Sequence, residues 1–311
     1  MIHVLYENEA WLPPLRDALI ERGLPFTLCF TEGGRLDART VPDGVWLNRM
    51  SPSSHTRGHQ AGVVYARELL GVLERSGRRV LNGSRAFALE VSKVQQDAVL
   101  REAGILTPET IGVVGADALH AARELGGPFV TKHNQGGKGL GVQLFRTVEG
   151  FEAFVGEGGL EGGSPDGVVV LQRYIEPAAP FISRAEIVDG RFLYALRSST
   201  VGGFELCPAD ACAVGDAFCP VGDAADAKFA WDSGITAADP LIQRYVAMMD
   251  ANGLDVAGIE WVTDADGRRW TYDINGTTNF NSVVEGQAGV RGMLAIADLA
   301  ARSLEGASRA A

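Results

Sequence analysis

Two strand-like runs joined by Asp266-Gly267 leave residues 255–281 (DVAGIEWVTDADGRRWTYDINGTTNFN) little choice of shape. Asp-Gly between alternating apolar residues is a strong two-residue hairpin signal, because both turn positions tolerate positive φ. With that turn Ala265 pairs with Arg268, and counting back sets Glu260 opposite Asp273. Alternation puts Asp273 and Asn275 on one face of their strand. Directly opposed residues have β-carbons roughly 4.5–5.5 Å apart, and like charges there destabilise a sheet. A cation is therefore expected between Glu260 and Asp273. Arg268 and Arg269 sit at the turn, too far away to supply it. Two carboxylates and an amide offer oxygen ligands, which suits a hard divalent ion, with magnesium completed by phosphate oxygens the best fit. The plain alternative is an exposed face with charges solvated or paired to Arg268 or Arg269, and a one-residue change of turn would break the register.

A second chemical signal lies in PFVTKHNQGGKGLGVQLF, residues 128–145, where apolar strands flank a tip of glycines and a lysine. Glycines let backbone N–H groups approach phosphate oxygens, and lysine adds a point charge. Spacing excludes a Walker loop: Gly139 follows Gly137-Lys138 where Ser or Thr is needed, and Lys132 stands in place of the first glycine. A dinucleotide fingerprint from Gly137 would need Gly or Ala where Val142 stands, and this loop joins two strands. By itself the segment could equally be a mobile hairpin.

Around these signals, residues 1–90 alternate strand and helix: strands at 2–6, 25–30, 44–48 and 78–83, helices at 12–23 and 62–75. That pattern implies a small open parallel α/β sheet. Ser92 is a plausible N-cap for a helix over 94–103 that Gly104 ends. Strand, helix 116–125, the glycine hairpin, helix 148–155 and strand 168–172 follow, then a strand pair over 181–207 turning at IVDG. Residues 202–239 show little periodicity, a sign of a functional or mobile stretch. A helix over 240–252, the Asp-Gly hairpin and a closing helix over 292–304 complete the chain. Units at 1–90, 91–172 and 173–308 are expected, since 311 residues allow two or three cores.

Net charge −11 argues against nucleic acid as a general partner, which would call for surplus cations. No apolar run approaches the roughly 18 residues of a membrane span, and MIHVLYENEAWLPP lacks the features of a signal peptide. Cys29, Cys207, Cys212 and Cys219 do not make a disulfide framework in a chain this long, so a reduced, cytoplasmic protein is expected.

In order and spacing, SKVQQDAVLREAGILTPET, PFVTKHNQGGKGLGV, VLQRYIE, and LDVAGIEWV with YDIN resemble the ATP-grasp superfamily, above all RimK-type and lysine-biosynthesis-type carboxylate–amine ligases. The resemblance covers roughly residues 45–300. It implies an α+β ATP-grasp fold: an N-terminal open parallel α/β domain, a central lid and a C-terminal subdomain, with ATP clamped between the last two. On that resemblance Lys93 and Lys132 contact the ATP phosphates, and Gly136, Gly137, Lys138, Gly139 and Gly141 cover them. Gln172, Arg173, Tyr174 and Ile175 form the adenine-side hinge, and Glu176 reaches the ribose. Arg184 and Arg197 stand near the γ-phosphate and acyl phosphate as catalytic residues, or else belong to an ordinary surface strand pair. Glu260, Asp273 and Asn275 match the ligands of Mg²⁺, two ions being implied, with Mn²⁺ as a substitute. Arg49 is a candidate for a substrate carboxylate, or a bland surface arginine.

Relatives usually carry Asp first and Glu-x-Asn second; Glu260 with Asp273-x-Asn275 exchanges the two and keeps the charge. The acidic stretch after Arg197, STVGGFELCPADACAVGDAFCP, departs from the basic acceptor loop of RimK-type ligases and puts glutamate chemistry in doubt. Reduced loop cysteines are the simpler reading of Cys207, Cys212 and Cys219, and the loop residues His55 and His59 are assigned no metal. The expectation is an ATP-dependent ligase that joins a small-molecule or peptide carboxylate to an amine through an acyl phosphate, with no membrane partner and homo-oligomerisation left open. A kinase on the same scaffold and an ATP-binding regulator without turnover are the rivals.

Overall fold

A computed structural model of the chain describes residues 1–137, 139, 142–160, 163–200 and 228–310. The alternation read from residues 1–90 builds a four-stranded sheet in the order β2-β1-β3-β4, every pair parallel. Its strands are β1 (Ile2–Tyr6), β2 (Phe26–Phe30), β3 (Val45–Arg49) and β4 (Arg79–Leu81). The helices α1 (Pro13–Glu21) and α2 (Gln60–Arg75) cross over between them, as parallel pairing requires. Two helices follow almost without a break, α3 (Ser84–Glu90) and α4 (Lys93–Glu102). Ser92 caps the second, accepting from Gln95 N at 3.3 Å, so Lys93 is its first residue.

The middle of the chain forms an antiparallel sheet in the order β5-β8-β6-β7. It comprises β5 (Thr110–Val113), β6 (Phe129–His133), β7 (Gln143–Phe145) and β8 (Val169–Arg173), with α5 (Ala118–Leu125) and α6 (Val148–Gly156) packed on it. Phe129, Phe151 and Leu171 are fully buried between sheet and helices. The glycine tip joins β6 to β7.

The last sheet runs β11-β10-β9-β12-β13, with β9 (Phe181–Val188), β10 (Arg191–Ser199), β11 (Phe229–Trp231), β12 (Val256–Thr263) and β13 (Arg269–Asn275). Period-two alternation gives it two buried faces. Ala185, Ile187, Ala195, Ile259 and Trp261 pack on Tyr245, Met248 and Met249 of helix α7 (Pro240–Asn252). Val188, Tyr194, Leu196 and Val256 face Ile296, Ala297 and Ala300 of the closing helix, which also covers the N-terminal sheet. Strand β11 and a short helix, Ser282–Ala288, are elements that periodicity did not disclose. Among the described residues no helix is long and apolar enough to cross a membrane.

Candidate active site

The hairpin turn is one residue longer than the sequence implied. Asp264 N donates to Arg268 O and Gly267 N to Asp264 O, both at 3.0 Å, so Ala265, Asp266 and Gly267 form a three-residue loop with Gly267 at φ 77°. That offset carries along the ladder: Thr263 faces Arg269 and Trp261 faces Thr271. A β-bulge at Tyr272 then absorbs one residue, and Glu260 faces Asp273 after all. The expected opposition holds, but through two errors of register that cancel.

Around this pair, the chain brings its own cations. Lys93 Nζ, from the first turn of α4, donates to Asp273 Oδ1. Arg184 lies across the sheet from Glu260 on β9, buried. It donates from Nη1 to Glu260 Oε1, from Nε to Glu186 Oε1 and from Nη2 to Thr278 Oγ1, each at 2.7 Å. Its guanidinium lies on Gly258, where an added Cβ would stand 2.1 Å from Nη2. Arg268 and Arg269 are engaged elsewhere, with Asp264 and Asp239. The compensating cations come from residues 76 and 180 positions away in sequence, a separation no local pattern reveals.

Electrostatics follow from burial. Glu260 is pushed above the ordinary carboxylate range by desolvation, against the pull of Arg184. For Asp273 burial also acts upward, but Lys93 and Lys132 together outweigh it and hold the carboxyl below its usual value. Lys132, on β6, is brought down to about 8 by burial and then by Lys93. It donates to Gln172 Oε1 at 3.0 Å and lies 5.7 Å from the centre of the Tyr272 ring. Tyr272 in turn donates to Glu260 Oε2 at 3.1 Å.

These groups line one end of a single cleft between the antiparallel sheets. Gly136, Gly137 and Gly139 overhang it; Lys138 and Gly141 lie outside the described residues, as do Cys207, Cys212 and Cys219. The other end is apolar, walled by Val130, Val142, Ile175, Pro177, Ile182 and Val262, with Gln172, Arg173 and Tyr174 along the connecting strand. Arg173 keeps its guanidinium on Glu109 (2.7 Å) and Leu125 O (2.7 Å). Glu176 is exposed and is not one of the residues lining the cleft. The donor set of Glu260, Asp273 and Asn275 fits a hard divalent ion: carboxylate and amide oxygens beside a wall of phosphate-compatible cations.

Two arginines sit elsewhere than the resemblance implied. A bulge in β10 at Leu193 shifts the β9–β10 register, so Ser183 faces Arg197 and Arg184 faces Leu196. Arg197 is thereby turned to the opposite face of the sheet from Arg184. There it binds Asp232 Oδ2 at 2.9 Å, over the Phe181 ring, half exposed. Without the extra residue the two would share a face. Arg49 is buried beneath the cleft and docks the N-terminal sheet on the loop after β13, donating to Thr278 O (2.8 Å) and Asn279 Oδ1 (2.9 Å). His59 belongs to a separate cluster on the buried Glu7, its Nδ1 2.9 Å from Glu7 Oε2, and residues 54–57 form a single 3₁₀ turn where the sequence suggested loop.

Sequence reading missed several residues that organise the site. Asn134, just before the glycine tip, accepts from Val94 N at 3.0 Å and donates to Asp166 Oδ2 at 2.6 Å, tying the tip to α4. Glu90 and Gln96 grip the strand that carries Asp273 and Asn275. None belongs to a spacing pattern; only SKVQQ, with its cap serine and lysine, hinted that this helix faces the site.

No protein-family profile matches the sequence, and no curated protein does. Solved structures do match over nearly the whole chain. A RimK domain protein of the ATP-grasp kind from Sphaerobacter thermophilus is 19% identical, with a TM-score of 0.66 over 95% of this chain and 98% of that one. The ATP-grasp ligase PsnB, solved with a minimal precursor, Mg and ADP, is 17% identical, with a TM-score of 0.64 over 98% of each chain. D-alanine–D-alanine ligase from Bacillus anthracis, solved with ATP, is 15% identical, with a TM-score of 0.65 over all of this chain and 98% of that one. Three sheets in this order, with a glycine tip over a carboxylate hairpin, give the chain the ATP-grasp fold.

Proposed function

We propose that this protein is an ATP-dependent ligase that activates a carboxylate as an acyl phosphate and passes the acyl group to an amine, releasing ADP and phosphate. The observation that carries the reading is the meeting of Glu260, Asp273 and Asn275 with Lys93 and Lys132 under the glycine tip, in one cleft. Structural neighbours solved with ATP, or with Mg and ADP, are ligases and support it. The three-unit division near residues 90 and 172 goes with this reading.

In this reading the apolar end holds the adenine, with Gln172 to Ile175 along its edge, and the charged end holds the phosphates. Magnesium or manganese on Glu260, Asp273 and Asn275 supplies positive charge to the phosphate oxygens. Lys93 and Lys132 hold the phosphoryl oxygens as point charges, and backbone N–H groups of Gly136, Gly137 and Gly139 add directional donors. The buried Arg184, fixed by Glu186 and Thr278, opposes the effect of burial on Glu260 and holds its carboxylate in place at the cleft. Covering the cleft with the glycine tip keeps water from the acyl phosphate until the amine arrives. Arg197, on the far face, has no part in this scheme.

A screen of phosphate release over pairs of carboxylates and amines, with mass spectrometry of products, tests the proposal. Amine-dependent ADP formation with an amide product supports it. ADP formation that needs an alcohol and no amine makes the protein a kinase, and ATP binding without turnover on any pair makes it a binder; either result overturns the ligase reading.

A further inference from the structure

Strand β13 is the edge of its sheet, so its outer N–H and C=O groups have no strand to pair with. The helix pair α3–α4 supplies the partners from side chains. Gln96, 1% exposed, imitates a neighbouring strand: its Nε2 donates to Ile274 O at 2.7 Å and its Oε1 accepts from Ile274 N at 3.1 Å. Glu90, 6% exposed, accepts from Gly276 N on one oxygen and from Thr277 N (3.2 Å) on the other. Its carboxylate is in no salt bridge among the described residues; burial raises its pKa, and the two backbone donors act against that. Gly276 leaves little slack, since a Cβ there would meet Glu90 Oε2 at 3.0 Å and Asn82 Nδ2 at 3.1 Å.

Residues 274, 276 and 277 are thus gripped on either side of Asn275, and Lys93 of the same helix holds Asp273. We propose that Glu90 and Gln96 are positioning residues that set where Asn275 and Asp273 present their oxygens, and so fix divalent-ion affinity without touching the ion. Gln96 thus fixes the backbone just before Asn275 and Glu90 the backbone just after it, where the chain leaves β13. The inference rests on the assignment of Glu260, Asp273 and Asn275 as the ion's ligands.

The test uses the full chain, Mn²⁺ as probe, and electron paramagnetic resonance of free Mn²⁺ in the presence of a non-hydrolysable ATP analogue. Glu90→Gln places an amide N–H₂ against a backbone donor, and Gln96→Glu removes the donor to Ile274 O; each should weaken Mn²⁺ binding about tenfold or more. Calorimetry of the analogue without metal should show its affinity changed less than about twofold, which general loosening of the fold would not spare. Asp273→Ala serves as the reference. Loss of Mn²⁺ binding in Asp273→Ala with near-normal binding in both Glu90→Gln and Gln96→Glu overturns the positioning role alone. Near-normal binding in all three, Asp273→Ala included, overturns the ligand assignment beneath it.

Discussion

Lys93 Nζ hydrogen-bonds Asp273 Oδ1, so one part-buried ion pair joins a residue assigned to the nucleotide with a residue assigned to the metal. Each partner therefore competes with the other's ligand. Lys93→Met is expected to weaken ATP binding about tenfold or more, a cost of ~1.4 kcal/mol, because a phosphate contact disappears. The same change strips Asp273 of its resident cation, so Mn²⁺ binding to the nucleotide-free protein is expected to tighten. Calorimetry for ATP and paramagnetic resonance for Mn²⁺ read the two effects, and a fall in both affinities would contradict the competition.

Lys132 gives the pH dependence. Burial and the Lys93 charge bring it down to about 8, so the free protein holds it charged below that pH and increasingly neutral above. Phosphate oxygens favour the ammonium, so ATP affinity is present on the low side and declines as pH rises through about 8. Binding at about pH 9 is expected to take up a proton, and binding at about pH 7 to take up almost none. Calorimetry in buffers of different ionisation enthalpy measures this. Lys132→Arg should show no uptake at either pH, since a guanidinium stays charged.

How much of this was legible in the sequence depends on the range of the interaction. Strand and helix periods report local burial, so β1, α2 and the helix over 240–252 could be read with little error. The Asp-Gly turn pointed to the Glu260–Asp273 opposition, with a change of turn length the recognised risk to it. The Tyr272 bulge that restores the register could not be read, because a bulge leaves no fixed residue signature. Arg197 shows the cost of that blindness: one extra residue at Leu193 reverses the face of everything beyond it. The partners of the site carboxylates, Lys93 and Arg184, were named for other roles. Their pairing depends on how the two sheets and α4 meet, and no spacing along the chain encodes it.

Gly258→Ala tests the buried Arg184 cluster. The new methyl would lie 2.1 Å from Nη2 and 2.5 Å from Cζ. Three hydrogen bonds hold the guanidinium there, so it can yield only by leaving Glu186 or Glu260 buried without its cation. Overpacking and a broken buried pair together predict a loss of about 3 kcal/mol or more in denaturant unfolding. A loss below about 1 kcal/mol would mean that the cluster relaxes freely, and that Arg184 does not fix Glu260.

Arg197 provides the opposite expectation. Its guanidinium is half exposed, paired with Asp232 on the face of the sheet away from Arg184. Asp232 itself is buried, and its other oxygen accepts from Gly234 N at 3.2 Å, so the pair is exposed on the arginine side alone. Arg197→Ala should leave both Mn²⁺ and ATP affinities within about twofold of the parent protein, and any loss of unfolding free energy comes from leaving the buried Asp232 without its cation. Arg184→Met, by contrast, should disturb Mn²⁺ binding strongly, because Glu260 loses the hydrogen-bonded cation that opposes the effect of its burial. Equal effects of the two substitutions on Mn²⁺ would show that the β10 bulge does not separate them in solution, and that Arg197 reaches the phosphates as the sequence resemblance implied.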